Sequence, residues 1–152
     1  MHHAIPRPVV RLVAALAMFM AAAVAAAAPE IFSDPSGAIR GYDPVAYFTA
    51  GKPMKGSKAF QHTWRGATWS FVSKENLDRF VADPGRYAPQ YGGYCAFGVA
   101  NGYTPAVDPT AWAIVEGKLY LNLNAEVQQR WNGDRPGWIG KANAQWPSVL
   151  SK

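Results

Sequence analysis

Two stretches of the chain alternate apolar and polar residues and predict two β-hairpins. Residues 59–73 place aromatic side chains at every second position on both sides of a turn at 65–66. Residues 111–124 repeat the pattern with Trp, Ile and Leu around a turn at 117–118. A period of two that carries aromatic and aliphatic side chains is typical of half-buried strands. Each stretch is therefore expected to fold back on itself as an antiparallel pair.

Apolar residues at helical spacing predict short helices beside these hairpins. Asp43, Ser73 and Asn124 are residues of the kind that caps a helix, and each precedes such spacing. The expected buried stripes are Leu77, Phe80 and Val81 after Ser73, and Trp138, Ile139, Ala142 and Trp146 in a last helix that Pro136 begins. The sequence thus predicts an α+β fold, a small single domain in which the two hairpins form an antiparallel sheet with short helices packed on it.

The first 28 residues have the pattern of a secretory signal peptide. Arg7 and Arg11 precede an uncharged apolar run that ends in alanines at 25–28. Cleavage is expected near Ala27 or Ala28, which would leave residues 29–152 as one exported, periplasmic domain. The apolar run is about long enough to span a bilayer. If the leader is not cleaved, it is the only part of the chain expected to contact a membrane.

Charge and cysteine content narrow the classes of function. The chain carries a net charge of +5, of which the leader would remove two, and it has no run of basic residues. Nucleic-acid binding, which needs a clustered basic face, is therefore not expected. The single cysteine, Cys95, excludes an internal disulfide, so packing must hold the fold.

Residues 42–87 contain an ordered set of motifs. YDPVAYF at 42–48 is followed by a glycine turn, an aromatic strand that ends in Phe-x-Ser, a helix with a buried phenylalanine, and Asp-Pro-x-x-Tyr. The later positions are Gly66, Trp69, Phe71, Ser73, Phe80, Asp83, Pro84 and Tyr87. Taken together they resemble the YHS domain, a small metal-associated module. The resemblance implies a core at 42–87 and an extension at 88–152.

The resemblance implies a binding role rather than catalysis. The ligand it implies is a transition metal, with copper as the first choice. In the short YHS modules that are attached to metal pumps, three matching positions are often cysteines. In this chain those positions are Ala46, Val72 and Asn76. A periplasmic copper-handling role would therefore use Cys95 as the anchoring thiolate, with His62 and Met54 as the supplementary ligands. These are the metal ligands that the sequence offers.

Each of these three residues also has a purely structural interpretation. Cys95 lies in the glycine- and tyrosine-rich stretch QYGGYCAFG, where a small buried thiol would be inert. A reactive thiol is the other alternative. His62 shares a predicted strand face with aromatic residues and suits a hydrogen-bonded core position. Met54 lies in a polar loop and suits a surface position.

The glycine- and tyrosine-rich loop at 87–103 offers an alternative, non-metal site. Tyr91, Tyr94 and Tyr103 could line a pocket for a small molecule or present the loop to a partner protein. The same tyrosines could instead anchor an irregular loop to the core. No catalytic residue is proposed, because the aspartates that precede proline suit turns and caps, and no base or nucleophile accompanies them.

Overall fold

The computed structural model describes residues 26–152. Within them, the strands form three separate antiparallel pairs. The pairs are β1 (Ser33–Asp34) with β2 (Gly37–Ala38), β3 (Ser57–Trp64) with β4 (Ala67–Phe71), and β5 (Asp108–Val115) with β6 (Lys118–Asn122). The α-helices of the same residues are α1 (Ala46–Thr49), α2 (Lys74–Ala82), α3 (Pro84–Tyr87), α4 (Ala96–Ala100), α5 (Ala125–Asn132) and α6 (Arg135–Gln145).

The predicted α+β class is confirmed, and both predicted hairpins are present. They do not share one sheet, however, because β3–β4 and β5–β6 are each a sheet of two strands. The first turn lies at 65–66, as predicted. The second lies at 116–117, one residue earlier than predicted, because Val115 pairs with Lys118. Glu116 and Gly117 both have positive φ, which a tight two-residue hairpin turn requires.

Two groups of buried side chains hold the fold together. The first surrounds β3–β4 and α2, where Phe80 packs against Trp69 and Phe71 with ring centroids 5.2 Å apart in both cases. The second lies between β6, α4, α5 and α6 and includes Tyr120 and Trp131, with centroids 5.4 Å apart. The loop at 87–103 contributes buried residues to both groups.

Local capping fixes where the helices begin. The Ser73 hydroxyl accepts a hydrogen bond from the Asn76 N–H at 3.1 Å, and the Asn124 side chain accepts one from the Val127 N–H at 2.9 Å. The caps predicted at Ser73 and Asn124 are thus confirmed. Val81 is 47% exposed, so its predicted place in the buried stripe of α2 is wrong. Val81 directly follows Phe80 and so lies about 100° further around the helix, past the face that Phe80 buries.

The last residue of the predicted leader and the segment that follows it are part of the fold. The Ala28 N–H donates to the Leu150 carbonyl at 2.7 Å, and the Phe32 N–H donates to the Gly92 carbonyl at 2.9 Å. We call residues 28–32 the N-terminal strap. The signal peptide predicted at 1–28 lies almost wholly outside the described residues. None of the helices within 26–152 combines the length and apolar character needed to cross a bilayer.

Candidate functional site

Cys95 lies immediately before α4 and is only 1% exposed. Its sulfur accepts hydrogen bonds from the N–H groups of Gly98 at 3.4 Å and Leu123 at 3.3 Å. Such donors favour a thiolate, whereas burial disfavours it. Burial is the larger effect, so the pKa of the Cys95 thiol is raised. The side chain is therefore held as a protonated thiol that caps α4.

A buried amide orients this thiol. Asn122 is fully buried, and its Oδ1 accepts from the Phe97 N–H at 3.1 Å and faces the Cys95 sulfur at 3.6 Å. Its Nδ2 donates to Gln128 Oε1 at 2.7 Å, and Gln128 in turn donates to the Trp112 carbonyl at 3.1 Å. This chain of bonds fixes the Asn122 amide with its oxygen toward Cys95. The arrangement joins segments far apart in sequence, and no local pattern predicted it.

His62 and Met54 lie in other surroundings. His62 is in β3 opposite Trp69, with its ring centroid 6.4 Å from that of Phe80. Met54 lies before β3, where its carbonyl accepts from the Asp43 N–H at 2.9 Å. No hydrogen bond between described residues links either side chain to Cys95. Across 26–152, no group of three or more His, Cys, Asp and Glu side chains is placed to hold a metal ion.

The three tyrosines of the alternative site have different environments. Tyr91 is buried and donates to Asn143 Oδ1 at 2.9 Å, and Tyr94 is buried and donates to the Pro29 carbonyl at 2.8 Å. Burial raises the pKa of both phenols. Both rings pack against Trp146. Tyr103 is 69% exposed. The structure thus groups Tyr91 with Tyr94 as anchors of the loop and leaves Tyr103 at the surface.

A cleft of about 170 Å³ lies where the loop at 87–103 meets the β3–β4 turn. Its walls combine residues 30–31, the start of the β3–β4 turn, residues 85–92 and Trp146. The lining residues are Glu30, Ile31, Trp64, Arg65, Gly85, Ala88, Pro89, Gln90, Tyr91, Gly92 and Trp146. We call it the Arg65 cleft. Of the predicted site residues, it contains Tyr91.

The Arg65 side chain is held in place at the mouth of this cleft. Its guanidinium lies 4.5 Å from the centroid of the Trp64 ring and 2.8 Å from Glu30 Oε1. Stacking on an aromatic ring and an ion pair together orient a side chain that would otherwise be mobile. The guanidinium remains half-exposed, so some of its N–H groups face solvent.

The backbone of the cleft adopts strained conformations. Arg65 has φ 49° and Tyr91 has φ 58°, values in the left-handed region that residues with a Cβ rarely occupy. Such conformations persist only where the surroundings impose them, and they concentrate at functional sites. At Arg65 the two-residue hairpin turn requires this conformation. Tyr91 precedes Gly92, which lies against the Glu30 backbone.

Residues 45–91 match the YHS domain. No curated protein and no solved structure matches the chain. The matched segment nearly coincides with the core at 42–87 that the motifs indicate, and it supplies Trp64, Arg65 and Tyr91 to the Arg65 cleft. The resemblance is therefore confirmed for residues 45–91, the segment that matches the YHS domain.

Proposed function

We propose that this chain is a binding protein whose YHS domain presents the Arg65 cleft to a small carboxylate. The observation that carries the proposal is the fixed guanidinium at the mouth of a concave site. Glu30 occupies part of its hydrogen-bonding capacity, and the remaining N–H groups form a planar fork that matches a carboxylate.

The walls of the cleft indicate the rest of the ligand. Trp146, Tyr91 and the ring of Trp64 provide aromatic surface, and Gln90 provides a polar group. A cavity of about 170 Å³ restricts the occupant to a small molecule. A flat apolar group that bears one carboxylate fits this combination, and the site corresponds to the non-metal alternative for the loop at 87–103.

Substitution of Arg65 tests this role. Benzoate and indole-3-acetate should perturb tryptophan fluorescence and the indole NMR signals of the wild type in a saturable way. Arg65→Ala should weaken this binding by about tenfold or more, because a hydrogen bond to a charged group is worth roughly 1.5–3 kcal/mol. Arg135→Ala is the matched control, since Arg135 also stacks on a tryptophan, at 5.2 Å from the Trp131 centroid, outside the cleft. Equal losses in the two variants would contradict the proposal.

The YHS match favours copper handling as a second candidate. In the described arrangement Cys95 offers one buried sulfur, and no hydrogen bond joins it to His62 or Met54. Binding of copper(I) would require α4 and the neighbouring backbone to open, after which the thiolate would be the anchoring ligand. The copper role and its three ligands remain a prediction.

A copper(I) titration against a chelator of known affinity tests this candidate. If Cys95 anchors the metal, the wild type takes up about one ion, Cys95→Ala takes up none, and His62→Ala and Met54→Leu bind more weakly. Uptake that survives in Cys95→Ala would contradict the assignment of the thiol. Export is tested separately, by sequencing the N-terminus of protein recovered from the periplasmic fraction.

A further inference from the structure

A second concave surface lies on the other side of the β3–β4 turn. Two adjoining cavities of about 370 and 290 Å³ share Pro35, Ser36, Lys58 and Gln61. One wall is the β1–β2 turn, and the opposite wall is β3 with the residues that precede it. We call this surface the lysine groove, after Lys55 and Lys58. It shares no lining residue with the Arg65 cleft.

The backbone creates the lysine groove. Ser57 pairs with Phe71, but the next pair is Gln61 with Ser70, so the part of β3 between them bulges away from β4. Gly56 has no Cβ, which allows the start of β3 to lie directly on the Ser70 backbone. The bulge thus displaces the part of β3 that carries Lys58 away from β4.

The charge of the lysine groove is positive. Lys55 and Lys58 are exposed, and none of the ion pairs within 26–152 involves either of them. Asp34, the one acidic residue that lines the groove, is paired with Arg40 at 3.1 Å and also accepts a hydrogen bond from the Ser36 N–H. The two ammonium groups therefore remain available to an anionic ligand.

The rest of the lining is rich in hydroxyl and amide groups. Ser33, Ser36, Thr68 and Ser70 contribute hydroxyls, and Gln61 contributes an amide that donates to Ser70 Oγ at 3.0 Å. No aromatic side chain lines either cavity. This surface suits a ligand that is polar along its length rather than one with a large apolar part.

We propose that the lysine groove binds an acidic oligosaccharide. The sugar hydroxyls would exchange hydrogen bonds with the serines, Thr68 and Gln61, and its carboxylates would lie against Lys55 and Lys58. An acidic peptide shares the charge, but it would need pockets for alternate side chains, and the shallow polar lining provides none. The proposal does not depend on the function of the Arg65 cleft.

Titration with trigalacturonate at low salt tests the proposal. The wild type should bind it saturably, and added salt should weaken the binding. Lys55→Ala/Lys58→Ala should lose about tenfold or more in affinity, because it removes both cations that face the carboxylates of the ligand. Lys52→Ala/Lys118→Ala makes the same change in net charge away from the groove and should keep the wild-type affinity.

Several outcomes would overturn the proposal. Absence of saturable binding, or equal losses of affinity in the two double variants, would do so. Equal affinity for the neutral sugar maltotriose would show that the charge of the ligand does not matter. Equal or tighter binding of hexaglutamate would assign the groove to acidic peptides. Arg65→Ala should leave trigalacturonate binding unchanged, and a loss there alone would move the ligand to the Arg65 cleft. Circular dichroism confirms that each variant is folded.

Discussion

Gly92 shows how one absent side chain positions the N-terminal strap. Its φ is +62°, and a Cβ built at this position would overlap the carbonyl oxygen of Glu30. The Gly92 carbonyl also accepts the hydrogen bond from the Phe32 N–H. The strap can therefore cross the loop in direct backbone contact, which brings Glu30 within reach of Arg65.

Substitution of Gly92 separates this contact from the effect of backbone conformation. Gly66 also has positive φ, at +74°, but a Cβ there would meet nothing within 4 Å. Gly66→Ala should lower the free energy of unfolding by about 1–2 kcal/mol, the cost of a left-handed residue. Gly92→Ala should lower it by about 3 kcal/mol or more, because steric overlap is added. Urea denaturation measures both, and equal losses would contradict the account.

Asp43 connects α1 to the first hairpin. Its buried carboxylate accepts hydrogen bonds from the N–H groups of Val45 at 2.8 Å, Ala46 at 3.2 Å and Val72 at 2.9 Å, and from the Asn76 side chain at 2.8 Å. The sequence predicted the capping role but not the bonds to Val72 and Asn76. These two positions are among those where cysteines occur in the metal-pump modules, and here they serve structure.

Asp43→Asn should destabilise the fold by about 2–4 kcal/mol. The substitution replaces an acceptor oxygen with a donor and leaves buried N–H groups without a partner. Asp83→Asn is the control, because Asp83 also precedes proline but is exposed and makes no capping hydrogen bond through its side chain. Thermal unfolding of both variants tests the difference, and similar melting temperatures would argue against a structural role for Asp43.

At the scale of elements, the sequence predicted the helix starts and turns that a few neighbouring residues determine. α2 and α5 begin where Ser73 and Asn124 cap them, and the first turn falls where Arg65 and Gly66 stand. α4 was missed, since five residues are too few to show helical periodicity and Cys95 is not a usual cap. The Arg65 cleft was missed because Glu30, Arg65, Tyr91 and Trp146 meet only in the folded chain.

The strap is an element whose attachment can be measured. Tyr94→Phe removes the hydrogen bond from Tyr94 to the Pro29 carbonyl and should cost about 1 kcal/mol. Amide exchange at Ala28 and Phe32 should accelerate, because the strap detaches more often. Tyr103→Phe removes a hydroxyl from an exposed ring and should change neither quantity. Unchanged exchange in Tyr94→Phe would show that the remaining contacts suffice.

At the scale of the whole molecule, buried phenols and the thiol link stability to alkaline pH. Burial raises the pKa of Tyr47, Tyr91, Tyr94, Tyr120 and Cys95 above their ordinary values of 10.0 and 9.0. The unfolded chain therefore releases these protons at lower pH than the folded chain does. The stabilising contribution is complete below about pH 9 and is lost as the pH rises toward the folded values.

The urea midpoint should accordingly stay level from pH 7 to about pH 8.5 and fall steeply above about pH 9.5. Tyr91→Phe should start less stable, because it loses the bond to Asn143, but its midpoint should decline less steeply. Tyr103→Phe, which removes a hydroxyl from an exposed ring, serves as the control. A midpoint that is flat to pH 11 would contradict the assignment of these groups as buried and neutral.

The hydrogen bond between Ala28 and Leu150 places the two ends of the described chain side by side. A few glycine and serine residues could therefore join Lys152 to Ala28 and close the backbone into a ring. Reopening that ring at the exposed 116–117 turn, where Gly117 has open space around it, would give a circular permutant with the same tertiary contacts. Such a permutant would anchor the strap covalently at both ends.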